Sequence, residues 1–413
     1  MKPMGPIPSD HRRVDGALMI GGRSAADWID RAGGTPLFVY DFGIVRDRIA
    51  RFRAAFPGVS LHYAIKANPH PPLIAAIAAL VDGIDVASAG EARLALDAGV
   101  TAGRISFAGP GKRDGELTMA IDAGITINLE SAREAERAIG IGRAMGRTPR
   151  LAVRVNPDFE LKGSGMKMGG GAKPFGVDAD QVPALVHRIA EAGADYRGLH
   201  IFAGSQALDA EALIEAQRST LLLAARISEE TGFRPPHVNL GGGFGIAHFA
   251  ADKTLDEQKV GRALTETLSA RPPLLADTAF TIELGRWLVG EAGVYLTRIV
   301  DRKTSHGETF LIVDGGLHHQ LAASGNFGTV VRRNYPISLA NIDPHAPLET
   351  VSVVGCLCTP IDRLGDQVGL PRADVGDIVA LFLAGAYGAS ASPQSFLGHP
   401  PPFELTVDGA EIL

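Results

Sequence analysis

Between residues 60 and 290 the chain alternates short apolar runs with stretches of helical periodicity. The runs are Leu61 to Ile65, Ile84 to Ala87, Ile105 to Ala108, Ile125 to Asn128, Leu151 to Val155, Gly198 to Phe202, His237 to Leu240 and Phe280 to Leu284. They are rich in β-branched and aromatic residues and read as strands. Between them, PLIAAIAALV, EARLALDAGV and SAREAERAIGIGRAM place apolar residues at i, i+3 and i+4, the pattern of one helix face. Eight strands alternating with helices over roughly 230 residues predict a (β/α)8 TIM-like barrel. A doubly wound sheet is the rival, and it more often has five or six strands.

After residue 290 the periodicity switches. VYLTRIVDRK, TFLIVDGG, ETVSVVG, DIVALFLAG and FELTV alternate or run apolar with turns between them, which predicts an antiparallel β domain. The early segment PLFVYD, Pro36 to Asp41, is expected to return to it as a strand. The expected division is a barrel over 43–290 and a β domain built from 1–42 plus 291–413. One low-complexity stretch, KGSGMKMGGGAKP from Lys162 to Pro174, follows the fifth strand. It reads as a mobile loop over the barrel mouth or as a plain surface linker.

Composition adds exclusions. The 413 residues suit two domains, and 46% hydrophobic with 21% charged residues is globular, not disordered. A net charge of -6 gives no footprint for nucleic acid or for an anionic membrane surface. No apolar run approaches the ~18 residues needed to span a bilayer, and MKPMGPIPSDHRR lacks the apolar core of a signal peptide. The only cysteines, Cys356 and Cys358, are two positions apart, a poor disulfide pair and too few for a structural zinc site. A cytoplasmic protein is expected. His318 and His319 are adjacent and lack metal-ligand spacing, so no metal is expected.

Barrel enzymes carry their chemistry at the C-terminal ends of the strands. Here those ends offer Lys66, then Asp85 with Ser88 and Glu91, Arg154 with Asn156 and Pro157, His200 leading to Ser205, the glycines 241–243, and Glu283 leading to Gly285 and Arg286. A lysine ending an apolar strand either snorkels to the rim or forms an imine with a carbonyl cofactor. The GGGFG run brings backbone N–H groups close to a ligand, which suits a phosphate, although a glycine triplet also makes a simple turn. Arg286 adds a charge-assisted donor. Glu283 is placed to keep a pyridine nitrogen protonated. His200 is either a stacking partner for a cofactor ring or a satisfied core histidine.

In order and spacing, the motifs YAIKAN, DVASAGE, RVNP, GLHIFAGSQ, NLGGGFG, ELGR, GCLCTPID and GAYG resemble those of the barrel-type (fold type III) pyridoxal-phosphate decarboxylases, the family of diaminopimelate, ornithine and arginine decarboxylases. The resemblance covers nearly the whole chain. It implies a barrel followed by a β domain, a homodimer with shared active sites, and pyridoxal 5'-phosphate (PLP) as cofactor. It assigns Lys66 the Schiff base, His200 the ring face and Glu283 the pyridinium. Ser205, Gly242, Gly243, Gly285, Arg286 and Tyr387 take the phosphate and cofactor contacts, and Asp85, Glu91 and Arg154 support the site. Cys358 corresponds to the thiol given by the second subunit, which protonates the carbanion after CO2 leaves.

The chain departs from the common pattern in three places. Thr359 stands where an acidic residue usually follows the cysteine and reads a distal amine. ELGR has Leu284 in place of proline. Phe202 and Ala203 lengthen the sixth-strand motif. CTPID, HIFAGSQ, KGSGMKMGGGAKPFG and SGNFGTVVRRNYP are similar to a subgroup of pyridoxal-dependent decarboxylases associated with exosortase A systems, and to decarboxylases acting on carrier-linked glutamate. The expected substrate contacts are Arg286, Arg332, Arg333, Tyr335, Thr359 and Asp362, with a free or carrier-linked amino acid as substrate. Alternatives are a PLP racemase, which needs a second base on the opposite ring face, a non-catalytic PLP-binding protein, and an unrelated phosphate-binding barrel.

Overall fold

The structure is a computed structural model that describes residues 1–413 except Ser164 and 326–332. The chain forms two compact units. One comprises Arg48–Gly245 and Thr254–Gly285, the other Met1–Asp47, Ile246–Lys253 and Arg286–Leu413. The chain passes between the units after Asp47 and after Gly285, and the short segment Ile246–Lys253 belongs with the second unit.

The first unit is a closed parallel barrel. Its strands are β1 (Ser60–Ala64), β2 (Gly83–Val86), β3 (Ile105–Phe107), β4 (Thr126–Leu129), β5 (Arg150–Asn156), β6 (Asp195–Ile201), β7 (His237–Gly242) and β8 (Ala279–Leu284). Each pairs in parallel with the next, and β8 returns to β1 with Glu283 opposite His62. Along β1, Leu61 and Tyr63 are fully buried, alternating with His62. This period of two gives apolar residues to the surrounding helices and polar ones to the barrel interior. A cavity of about 180 Å³ there is lined by side chains that include His62, Ser106, Asn128, His200, His237 and Asn239.

Helices follow β1 to β7, and their starts are written locally. Ser88 and Ser131 accept hydrogen bonds from the amides of Glu91 and Glu134, each at 3.1 Å, and so cap Ala89–Asp97 and Ala132–Met145. The strand β6 begins earlier than the apolar pattern predicts, because its first residues, Asp195, Tyr196 and Arg197, are polar. Its register shifts between Tyr196 and Gly198. Gly198 has φ +107°, and a Cβ there would lie 1.8 Å from the His237 carbonyl oxygen, so only glycine fits.

The stretch expected as a mobile loop is tied down where it is described. The backbone of Met166–Lys167 pairs antiparallel with Gly204–Ser205, and the Met168 and Gly169 amides donate to the Ala203 carbonyl at 3.1 and 3.0 Å.

In the second unit, β9 (Gly293–Ser305) is the central strand. It pairs antiparallel with Leu37–Asp41, with β10 (Glu308–Val313), and with Ile378–Leu381. Beyond β10 lie β11 (Leu348–Val354) and β12 (Arg363–Pro371), and β13 (Phe403–Asp408) flanks Leu37–Asp41. The unit is antiparallel-rich but not wholly antiparallel: β10 with β11, and Leu37–Asp41 with β13, are parallel. Both pairs join strands far apart in sequence, where the chain is long enough to cross over. Among the described residues no helix is long and apolar enough to cross a membrane.

Candidate active site

The parallel barrel brings the C-terminal ends of all eight strands to one rim. Lys66 sits there on the single-turn helix Ile65–Ala67 directly after β1. It is exposed, and its Nζ lies 5.7 Å from the centre of the Phe202 ring. Gly285, after β8, packs on the same turn. A Cβ at Gly285 would come within 2.9 Å of the Ala67 Cβ, so the absent side chain lets the lysine turn and the end of β8 approach.

Inside the rim, His200 on β6 and Glu283 on β8 are both buried. His200 Nε2 lies 2.9 Å from Glu283 Oε2. Asn239 Nδ2 reaches the same oxygen at 3.4 Å. Burial alone would raise the Glu283 pKa. The hydrogen bond and charge of His200, with Lys66 and Arg154, outweigh it and hold the carboxyl well below its usual range. Nδ1 of His200 is buried without a hydrogen-bond partner, and so is the Ser205 Oγ.

Asp85 on β2 faces His62, with Oδ2 3.1 Å from Nδ1. Burial opposes a charge on His62, but Asp85 prevails and raises its pKa. Glu91 is raised by burial against the Ala87 amide and the Lys66 charge, which lower it. Arg154 on β5 donates to Glu130 Oε1 at 2.8 Å and lies 5.1 Å from the centre of the Phe175 ring. Glu130 also takes the Gly109 and Gly176 amides, at 2.5 and 3.0 Å. Beside it, Lys112 Nζ is held by Glu134 at 2.7 Å and by the carbonyls of Gly109 and Asn128 at 2.8 and 2.9 Å. This network fixes the loops after β3, β4 and β5.

The glycine run ends β7 in a close approach. A Cβ on Gly242 would lie 1.8 Å from the Glu283 carbonyl oxygen, and one on Gly243, at φ +78°, 2.3 Å from the Gly204 carbonyl. No side chain fits at either position, because the backbone there packs directly on the ends of β8 and of the Gly204 segment.

The remaining expected site residues lie in the β unit. Arg286 opens a four-residue helix. Its guanidinium stacks 4.7 Å from the centre of the Tyr387 ring, with Nη1 3.4 Å from His248 Nε2. His248 Nδ1 faces the Ile246 carbonyl at 2.9 Å, so it carries the proton and Nε2 accepts from the arginine. Burial, then Arg286, pushes the His248 pKa down to about 4, keeping it neutral. Tyr387 holds a left-handed φ of 54°. Tyr335 is buried, its ring 5.3 Å from that of His248. Arg333 is exposed and lies 5.1 Å from the centre of the Phe249 ring. Arg332 lies outside the described residues. Cys358 is exposed, and Thr359 is half-buried beside it. Asp362 is buried, and its oxygens accept the amides of Leu317 and Leu357 at 2.7 and 2.9 Å. It braces two loops, which speaks against its expected place among the substrate contacts.

The sequence model of the pyridoxal-dependent decarboxylase, pyridoxal binding domain, matches residues 42–290. The chain belongs to this family. It is 37% identical over 378 residues to the L-glutamyl-[BtrI acyl-carrier protein] decarboxylase of Niallia circulans, covering 90% of this chain and 88% of that one. It is 31% identical to a diaminopimelate decarboxylase of Aquifex aeolicus, covering 96% and 92%. The solved diaminopimelate decarboxylase of M. jannaschii superposes with a TM-score of 0.88 at 26% identity, covering 98% and 94%. The protein is thus a PLP-dependent decarboxylase, a carboxy-lyase acting on an amino-acid derivative.

The barrel of this decarboxylase fits the cofactor on its own terms. Among the described residues, His200 Nδ1 and Ser205 Oγ, on and just after β6, are buried without hydrogen-bond partners. A cofactor phosphate would accept from the Ser205 hydroxyl, and a cofactor ring would have the His200 imidazole to stack on. Sequence reading passed over His248, Glu130, Lys112, Glu134 and Asn239. The signal for His248 was its place two residues after the GGGFGI run. The Glu130, Lys112 and Glu134 network showed no motif, because its members join successive loops.

Proposed function

We propose that this decarboxylase acts on an amino acid whose distal end is acyl-linked or anionic, in the manner of a carrier-tethered glutamyl group, and not on one with a free distal ammonium. The observation that carries the reading is Thr359 directly after Cys358. A hydroxyl cannot offset the desolvation of an ammonium group as a carboxylate does. The nearest carboxylate in sequence, Asp362, is buried and engaged by the Leu317 and Leu357 amides. The likeness to a protein named for glutamyl carrier chemistry agrees with this.

When bound, PLP supplies the electron sink that takes up the pair left as CO2 departs. In this reading Lys66, exposed at the rim, would hold the cofactor through its Nζ. Glu283, held as a carboxylate by His200, keeps a proton at the ring nitrogen. The His200 imidazole would support the cofactor ring while its Nε2 holds Glu283. Ser205, the amides of 242–243 and Arg286 would hold the phosphate, and Tyr387, stacked on Arg286, would orient it. Asp85 and Arg154 hold the strands that carry these groups. Cys358 of a second copy delivers a proton to the α-carbon, so the working unit is a homodimer. We assign recognition of the substrate's distal end to Tyr335 and to the neighbouring cations of the sequence, Arg332 and Arg333, because cations welcome an acyl or anionic group.

The deciding measurement is kcat/KM for lysine, ornithine, diaminopimelate, glutamate and a carrier-bound glutamyl thioester, read as loss of CO2 by mass. The thioester is expected to lead by at least about tenfold, a difference of about 1.4 kcal/mol in transition-state binding. Efficient turnover of lysine or ornithine overturns the reading of Thr359.

A further inference from the structure

Away from the residues assigned to PLP, three donor side chains meet in the β unit from three separate segments. His318 follows β10, Cys356 follows β11 and His399 precedes β13. Their ligand atoms all lie within 4.8 Å of one another. Cys356 Sγ is 3.8 Å from His399 Nδ1, and the rings of His318 and His399 are 5.2 Å apart. His318 is fully buried, yet neither of its ring nitrogens has a hydrogen-bond partner. A buried imidazole with both nitrogens unmet is costly unless a ligand takes one. A thiol–imidazole hydrogen bond accounts for Cys356 and His399 but leaves His318 unexplained.

The surroundings hold the three in place. Asp362 accepts from the amides of Leu317 and Leu357, the sequence neighbours of His318 and Cys356. His319 lies 3.0 Å from the carbonyl of Pro400, the neighbour of His399, through Nε2, and 3.0 Å from the Tyr295 hydroxyl through Nδ1. The carbonyl requires a proton on Nε2, so Nδ1 accepts from the tyrosine and His319 has no nitrogen left to ligate. One buried carboxylate and one histidine thus pin the residue beside each of the three donors, as outer partners orient metal ligands.

We propose that His318, Cys356 and His399 form a binding site for a zinc-type divalent transition-metal ion, with two imidazoles, one thiolate and a fourth position open. Tetrahedral zinc with bonds of ~2.3 Å to sulfur and ~2.0 Å to nitrogen sets its S and N ligands about 3.5 Å apart, near the 3.8 Å between Cys356 and His399. Nitrogen and sulfur donors select zinc, copper or cobalt over magnesium or calcium. On binding, the Cys356 thiol gives its proton to solvent as Sγ bonds the ion, and both histidines bind as neutral rings. Cys356 and His399 are half-buried, so the fourth position faces outward, suited to water or an added ligand. Cys356 is two residues before Cys358, so the ion would also fix the base of the turn carrying that thiol. The sequence pattern concealed the site because His318 has only His319 as a close histidine, and folding supplies the other two donors.

The test uses the PLP-loaded enzyme, stripped with chelator, loaded with zinc chloride and dialysed against metal-free buffer. Elemental analysis is expected to find about one retained zinc per chain, and X-ray absorption at the zinc edge a first shell of one sulfur with imidazole nitrogens. Cys356→Ser and His399→Ala should each weaken zinc binding at least about tenfold against a competing dye, while Cys358→Ser retains it. No retained zinc, a first shell without sulfur, or affinity unchanged in both Cys356→Ser and His399→Ala overturns the proposal. The absorption measurement on the wild-type chain decides even where a variant does not fold.

Discussion

His200 directs Nε2 at Glu283 Oε2 across 2.9 Å inside the barrel, and its other nitrogen has no partner. A carboxylate only accepts, so the proton sits on Nε2 and the pair holds Glu283 ionised where burial would otherwise neutralise it. Glu283→Gln keeps the shape and removes the charge. Turnover is expected to fall on the order of 10²-fold, the scale of removing one preorganised electrostatic contact, with PLP still bound. Absorbance of the bound cofactor and CO2 release measured on one sample check this. Undiminished turnover with full PLP occupancy would remove Glu283 from the mechanism.

Gly285 tests the support of the lysine turn. A side chain there meets the Ala67 Cβ at 2.9 Å and the Ala64 carbonyl at 3.3 Å. Gly285→Val must push away the turn carrying Lys66, at about 1–3 kcal/mol for overpacking. The expected outcome is a lower denaturant midpoint, together with slow or partial fixation of PLP by borohydride at Lys66. A variant matching the wild type in both would show that the turn yields freely.

Buried neutral histidines set an acid limit on the fold. Burial, with the charges of His62, Arg197 and His200, pushes His237 down to about 3, and burial pushes His70 down to about 4, from an ordinary 6.5. The unfolded chain binds these protons near pH 6.5, and the folded chain binds them only at lower pH. Their stabilising contribution is therefore whole above pH 6.5 and drains as pH falls toward 4 and below. Tm should drop from pH 7 to 4, and His237→Gln, with one fewer titrating group, should drop by several degrees less. Parallel Tm curves for the two proteins would show that His237 takes up its proton in the folded state.

Much of this was legible in the chain. Eight apolar runs with helical stretches between most of them outline the barrel, and Lys66, His200 and Glu283 stand out because each interrupts or directly follows such a run. His248 was hidden: it lies within the barrel's sequence range but folds with the β unit. Lys112 and Glu134 were hidden as well. They are 22 residues apart, Lys112 on the loop after β3 and Glu134 in the first turn of the helix after β4, where no local period links them. The antiparallel reading of the second unit missed its two parallel pairings, because pairing direction depends on chain crossings and not on alternation within a strand.

The Lys112–Glu134 pair is the stability test. The two side chains are 1% and 6% exposed, and the Lys112 ammonium has three partners. Lys112→Ala leaves Glu134 buried without its countercharge, which costs about 3–5 kcal/mol. The urea midpoint should shift accordingly. Lys112→Ala with Glu134→Ala together should recover part of the loss, because the stranded charge is gone. Simple additivity of the two single changes would mean that they do not interact.

Cys358 carries the prediction about assembly. It is exposed on a tight turn, where the Thr359 amide donates to the Leu357 carbonyl at 2.8 Å. An exposed thiol on a short rigid turn can enter a neighbouring subunit's site, and an interface with two-fold symmetry would make both sites hybrids of two chains. Lys66→Ala and Cys358→Ala should each be nearly inactive alone, the first for want of the cofactor anchor, the second for want of the proton donor. Mixed after subunit exchange, half of the dimers are heterodimers. Each of these has one site with Lys66 from one chain and Cys358 from the other, and one site with neither. Activity should return to about a quarter of the wild-type value per chain. If each site were built from one chain, no mixture could regain activity, because every site would still lack one of the two groups. Absence of recovery, with heterodimers demonstrated by differential tagging, would place Cys358 in its own chain's site or outside the mechanism.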